Sequence, residues 1–157
     1  MQEKPSEEHR WLERMVGEWE YEHECVMGPD QPPMKSAGSD SVRSIGLWVI
    51  REGKGQMPDG GPATMIFTLG FDPKKGRFVG TFIGSMMTKL WTYDGGLEGD
   101  VLTLDAEGPS FADPNKTAKY QDVFEIVSDD HHTLSSQVLG EDGRWFRFMT
   151  ANYRRKK

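Results

Sequence analysis

From Glu18 to Cys25 the chain alternates without a break: Glu18, Glu20, Glu22 and Glu24 on one parity, Trp19, Tyr21, His23 and Cys25 on the other. Successive side chains of a strand point to opposite faces, so one face is wholly carboxylate and the other aromatic, imidazole and thiol. Four like charges side by side belong in water, which sends the second face inward. Ahead of this strand, residues 7–16 follow a helical period. Trp11, Leu12, Met15 and Val16 share one stripe, Ser6 stands as an N-cap, Glu7 and Glu8 complement the helix dipole, and Gly17 stops the helix. That stripe must cover something apolar.

After Gly17 the helical period does not return. Short segments of period-two texture follow at 18–27, 37–43, 46–52, 63–71, 77–84, 87–94, 99–105, 118–127, 133–139 and 144–153. Asp72-Pro73-Lys74-Lys75-Gly76, Asp94-Gly95-Gly96 and Glu141-Asp142-Gly143 supply turn chemistry between them. About ten antiparallel strands without crossover helices are most simply stabilised by closing on themselves, which removes exposed edges. The predicted fold is therefore all-β. It is an up-and-down antiparallel barrel over 18–154 with a short N-terminal helix at 7–16, and 1–157 form a single domain. Gly80 and Gly84 suit sharply bent strands in a small barrel.

Composition narrows the function classes. A chain of 157 residues has the length of one domain. Leu, Ile, Val and Phe make up only about a fifth of it, so the interior leans on nine Met and five Trp, adaptable and bulky side chains. A net charge of −6 and a pI near 5.2 argue against nucleic acid or an anionic membrane as partner, since either calls for a basic face. The first residues lack the apolar region of a secretory signal, and no apolar run nears the roughly 18 residues of a membrane span. The lone Cys25 makes no internal disulfide. A cytoplasmic location is expected, and the glycosylation sequon Asn115-Lys116-Thr117 is set aside accordingly.

A barrel wider than eight strands leaves lumen space that wall side chains do not fill, and a cavity implies a ligand. Parity nominates Tyr21, His23, Cys25, Trp91, Tyr93, Phe124, Arg147 and Met149 as the residues facing it. On the last strand Trp145, Arg147, Met149 and Tyr153 share one parity while Phe146 and Phe148 take the other, so its facing stays open. Arg147, if inward, would need a carboxylate and could anchor an anionic ligand; otherwise it pairs with a wall residue such as Asp122 or meets water. No G-x-S-x-G elbow, phosphate loop or H-E-x-x-H motif occurs. His131 and His132 are adjacent, point opposite ways in an extended segment and join no carboxylate or thiol cluster. They are expected in a solvated turn, without metal. The terminal Arg154-Arg155-Lys156-Lys157 is expected to be a solvated tail.

Gly17-Glu18-Trp19, placed after a short helix and opening the first strand, resembles the G-x-W signature of the lipocalin and calycin superfamily. The resemblance implies that Trp19 closes one barrel end against an arginine from the last strand, for which Arg154 is positioned. A broader resemblance runs through LERMVGEW from Leu12 to Trp19, GFDPKKGRFVGTFIGSMM from Gly70 to Met87, Leu90 to Gly95, Glu107-Gly108-Pro109, and Asp142 to Trp145 with Tyr153 to Arg155. These segments look like the bacterial DUF1579 family, and imply a calycin-like barrel without assigned ligand or catalytic residues. The related nitrobindins hold haem through a histidine near the C-terminal end of the barrel. No histidine follows His132 here, so a haem would need His23 or a tyrosinate, and no cofactor is expected.

The reading that follows is a non-enzymatic binder of a small apolar or anionic molecule in the lumen. The alternative is a small-molecule enzyme of isomerase, cyclase or hydrolase type, with His23 as general base and Arg147 or Tyr93 stabilising negative charge. A third is a structural subunit whose apolar outer faces pair into a homodimer.

Overall fold

The computed structural model describes residues 3–26, 28, 30–57 and 59–157. Helix α1 spans Glu7–Glu13 and ten strands follow: β1 Gly17–Cys25, β2 Met34–Ile45, β3 Trp48–Gln56, β4 Pro62–Asp72, β5 Arg77–Gly84, β6 Trp91–Glu98, β7 Val101–Pro109, β8 Thr117–Ser128, β9 His131–Leu139 and β10 Trp145–Arg155. Each strand pairs antiparallel with its sequence neighbour, and β1 pairs with β10 to close the barrel. The expected end of the first strand at residue 27 lies outside the described residues.

The alternation of β1 settles as expected. Glu18, Glu20, Glu22 and Glu24 are exposed, Trp19 and Tyr21 buried, and His23 and Cys25 partly buried. The 72–76 turn also forms, with the Gly76 amide on the Asp72 carbonyl and Gly76 at φ 64°. The helix is shorter than the expected 7–16. The amides of Met15 and Val16 reach back three residues, to Leu12 and Glu13, tightening the chain out of α-geometry before Gly17 enters β1 at φ 144°.

Asp94-Gly95-Gly96 is not a turn. It lies inside β6, and the reversal comes at Gly99, φ 60°. A Cβ on Gly95 would sit 1.9 Å from the Thr103 carbonyl oxygen, so this glycine serves close approach of β6 to β7.

The interior divides in two. At one end α1 lies across the barrel and buries His9, Trp11 and Leu12, with Met15 just beyond it. Trp11 packs edge-on to Phe78 while its indole N–H and the Arg14 guanidinium both reach Asp100. Trp19, Leu69, Leu102, Leu104 and Phe124 fill the adjoining half at 1% exposure or less. Burial of such side chains contributes roughly 1.5–3 kcal/mol each. Among the described residues no helix lies over the opposite end. Met86, Met87, Leu90 and Phe111 remain exposed around its mouth.

Candidate functional site

Two polar clusters sit inside the wall, one in each half. In the closed half, register places Asp40 opposite Trp19 and Arg51 opposite Val42, so both point inward. Arg51 donates to Asp40 Oδ2 at 2.7 Å and to His132 Nε2 at 3.0 Å, and its guanidinium lies 4.7 Å from the Phe124 ring centroid and 4.8 Å from that of Tyr153. It also reaches the Met15 sulfur at 3.3 Å, tying the segment after α1 to the core. A guanidinium cannot accept, so His132 Nε2 must, which leaves its ring proton on Nδ1. That Nδ1 is buried without a hydrogen-bond partner. Tyr153 stacks on the imidazole at 4.8 Å and Trp19 meets it edge-on at 4.2 Å. Burial, then the charges of Arg51, Arg155 and His131, hold the His132 pKa down to about 2. This cluster is sealed and its charges are paired.

His131-His132 is therefore not a solvated turn. It begins β9, and opposite facing puts His132 in the core at 1% exposure while His131 bonds Asn152. Alternation was legible there; an apolar partner face for a lone histidine was not.

The second cluster lies nearer the open end. On β8 the inward residues are Tyr120, Asp122, Phe124 and Ile126, since each faces a buried partner on β7 or β9. Asp122 Oδ2 accepts the Tyr93 hydroxyl at 2.6 Å and Oδ1 accepts the Ser136 hydroxyl at 2.5 Å. Burial pushes the Asp122 carboxyl up, partly offset by these two hydroxyls. The carboxylate in turn raises the Tyr93 phenol, whose burial is the larger cause. Asp122 is thus an inward group of the lumen and not a wall partner for Arg147.

Among the expected lumen residues, Tyr21 is buried and directs its hydroxyl to where a Cβ on Gly38 or Gly55 would stand. His23 faces inward, bonds Ser36 Oγ at 3.1 Å and has its pKa lowered by burial. Cys25 stands opposite Met149, both partly exposed, and burial raises its thiol pKa. Trp91 packs edge-on to Tyr120 against the bare backbone of Gly108. Phe124 has no exposure and belongs to the closed core.

Arg147 is elsewhere. A bulge between Arg147 and Met149 shifts the register of β10, so Phe146 and Met149 both face inward opposite Val138 and Ser136, while Arg147 sits exposed opposite Gln137. Arg147 thus lies on the far side of the wall from His23 and Tyr93, so of the two groups expected to stabilise charge beside His23 only Tyr93 shares its face of the wall. Closure also moves by one residue. Arg155 stacks at 4.2 Å over Trp19 and donates to the Val16 and Arg14 carbonyls, whereas Arg154 is exposed opposite Glu20. The Trp19 indole N–H goes to the Met15 carbonyl at 2.9 Å.

A concavity of about 650 Å³ lies mainly outside the lumen, where β10, β1, β2 and β3 run side by side. Glu20, Glu22, Lys54, Arg154 and Lys156 line it, exposed charges of both signs on solvent-facing parities. An adjoining one of about 530 Å³ reaches His23 and Ser36. No group of three or more His, Cys, Asp or Glu able to hold a metal occurs among the described residues, and no described helix is long and apolar enough to cross a membrane.

Solved structures share this architecture at low identity. Rv2717c from M. tuberculosis is 14% identical, with a TM-score of 0.63 over 98% of this chain and 100% of that one. The S-type phycobiliprotein lyase CPES from Guillardia theta is 11% identical, TM-score 0.61, over 94% and 92%. A de novo designed fluorescence-activating β-barrel is 14% identical, TM-score 0.50, over 92% and 96%. These likenesses establish the fold alone. No curated protein matches the sequence. Residues 4–155, from ahead of α1 to the last residue of β10, match a single family description, and the chain belongs to DUF1579, a family of proteins of unknown function.

Proposed function

We propose that the open half of the barrel binds a small, largely apolar molecule. One observation carries this reading: His23, Cys25, Met65, Phe82, Trp91 and Met149 all face inward by register yet keep partial exposure, whereas their counterparts in the closed half have almost none. Inward groups reached by solvent through an apolar mouth are what a ligand cup requires. Met149, Met65 and the exposed Met86 and Met87 bring adaptable thioethers to it. Two proteins of the same fold are named for related tasks, a phycobiliprotein lyase and a fluorescence-activating barrel. With the Arg147 side chain outside, no Lys or Arg lies among the described inward positions of the open half, which leaves no cation there to hold an anionic ligand.

Native mass spectrometry of the purified protein, set beside its denatured mass, tests the reading, together with titration of a neutral apolar probe followed by Trp91-dependent fluorescence. Reproducible extra mass lost on denaturation, or saturable quenching abolished by Trp91→Phe, is the expected result. Bare protein mass together with no saturable response would end the reading.

A further inference from the structure

The same open half contains a carboxylate whose partners are incomplete. Each carboxylate oxygen offers about two acceptor positions. In Asp122 one on each oxygen is taken, by the Tyr93 and Ser136 hydroxyls, and no cation pairs with it among the described residues. Both donors are neutral hydroxyls, so a charge on this carboxyl, which burial disfavours, meets no counter-ion among the described residues. Its described surroundings supply no cation. Leu104 stands opposite on β7, and the row through Ser136 continues to Met149 and Cys25. His23 faces the same space, but burial favours its neutral form and Ser36 holds its Nδ1.

Asp40 shows what this barrel does with a carboxylate that is purely structural: it receives a guanidinium at 2.7 Å in a sealed pocket. Asp122 has instead two short hydroxyl bonds that fix its orientation and a residual exposure on an inward parity. A carboxylate oriented in this way among apolar walls, with no cation against it among the described residues, is complementary to a cation. Outside, the net charge is −6, and the open end carries charges of both signs, Glu22 and Glu24 on β1 with Lys35 opposite Glu24 and Lys89 5.0 Å from the Trp91 ring centroid.

We propose that Asp122, held by Tyr93 and Ser136, anchors the ammonium group of an amphipathic amine whose apolar body fills the open half of the barrel. This rests on the lumen-binding reading above and names its ligand class. The ammonium donates to the free acceptor positions of Asp122 while Met149, Trp91 and Phe82 receive the hydrocarbon part.

A matched series decides it: n-octylamine, n-octanol and n-octanoate, titrated at pH 7 by calorimetry into the native protein and into Asp122→Asn. Asparagine keeps the size of the side chain and an acceptor for Tyr93. The native protein is expected to bind the amine at least tenfold more tightly than the alcohol and the carboxylate most weakly. In Asp122→Asn the amine and alcohol affinities should fall within about threefold of each other, the larger loss being the amine's. Asp122→Ser serves as a second charge-free variant, and both are checked for a native β spectrum. Equal binding of amine and alcohol by the native protein would overturn the amine assignment while leaving the apolar cup intact. An amine preference surviving in a folded charge-free variant would remove Asp122 as the anchor. No binding of any of the three would defeat the cup itself.

Discussion

The two halves of this barrel solve the same problem differently. Each encloses a carboxylate, Asp40 in the closed half and Asp122 in the open one, and each carboxylate is pushed up by burial. Asp40 is answered by Arg51, which is itself sandwiched by Phe124 and Tyr153 and bonded to a neutral His132. Asp122 is answered, among the described residues, by two hydroxyls. An ion pair completed within the protein leaves nothing for a ligand to add, whereas a charge oriented but not neutralised does. The fold thus places a completed ion pair beneath α1 and, farther along the barrel, a carboxyl held by hydroxyls.

The largest expected effect comes from breaking the closed half. Arg51→Met should cost about 3–5 kcal/mol in urea unfolding, because Asp40 is left buried without its cation. A loss under 1 kcal/mol would mean that the cluster is not sealed. Packing provides the next contrast. Leu102→Ala, at full burial, should destabilise by about 2–5 kcal/mol, while Met149→Ala should stay near 1 kcal/mol because its surroundings already reach solvent. Equal losses at the two sites would erase the distinction between the halves.

Acid should act chiefly through His132. Its pKa falls from the ordinary 6.5 to about 2 in the folded chain, so the unfolded chain takes up a proton that the native one refuses. The associated stability is present above pH 6.5 and lost as pH falls through 6.5 towards about 2. Asp40 and Asp122, raised in the fold, act in the opposite sense: their contribution is present below 3.8 and lost as pH rises through their elevated values. Between pH 7 and 4 the two senses oppose, and His132→Phe should remove the declining component, leaving stability that falls less, or rises, as pH is lowered. An unchanged slope would reassign the acid sensitivity. The smallest effect is a gain. Asp122→Asn should stabilise the empty protein at pH 7 by on the order of 1 kcal/mol, a rise of a few degrees in Tm, since a buried charge without a cation is removed. A drop in Tm would show that the charge is already compensated in the empty barrel.

How far the sequence anticipates this depends on how local each feature is. The β1 alternation announces its own facing, and Asp72 to Gly76 announces its own turn, because both rest on neighbouring residues. Gly95 looked like a turn residue from the same local signs, yet its lack of a side chain serves the approach of Thr103 across the sheet. Arg147 was displaced by one bulged residue, and a shift of one residue exchanges the two faces of a strand. His132 and Arg51 carried a faint signal, each on the inward parity of a strand with apolar neighbours two residues away. Their partnership spans 81 positions and was invisible until register brought them together.

By itself, then, the sequence determined an all-β antiparallel barrel, the acid outer wall of β1 and the aromatic, imidazole and thiol face within, because period-two patterning and turn chemistry act over a few residues. Only the tertiary structure decided that Arg155 covers Trp19, that Arg51 pairs with Asp40 beside a neutral His132, and that Asp122 meets two hydroxyls and no cation among the described residues. Those outcomes depend on strand register and on which end the helix covers, and both are set by packing across the whole barrel.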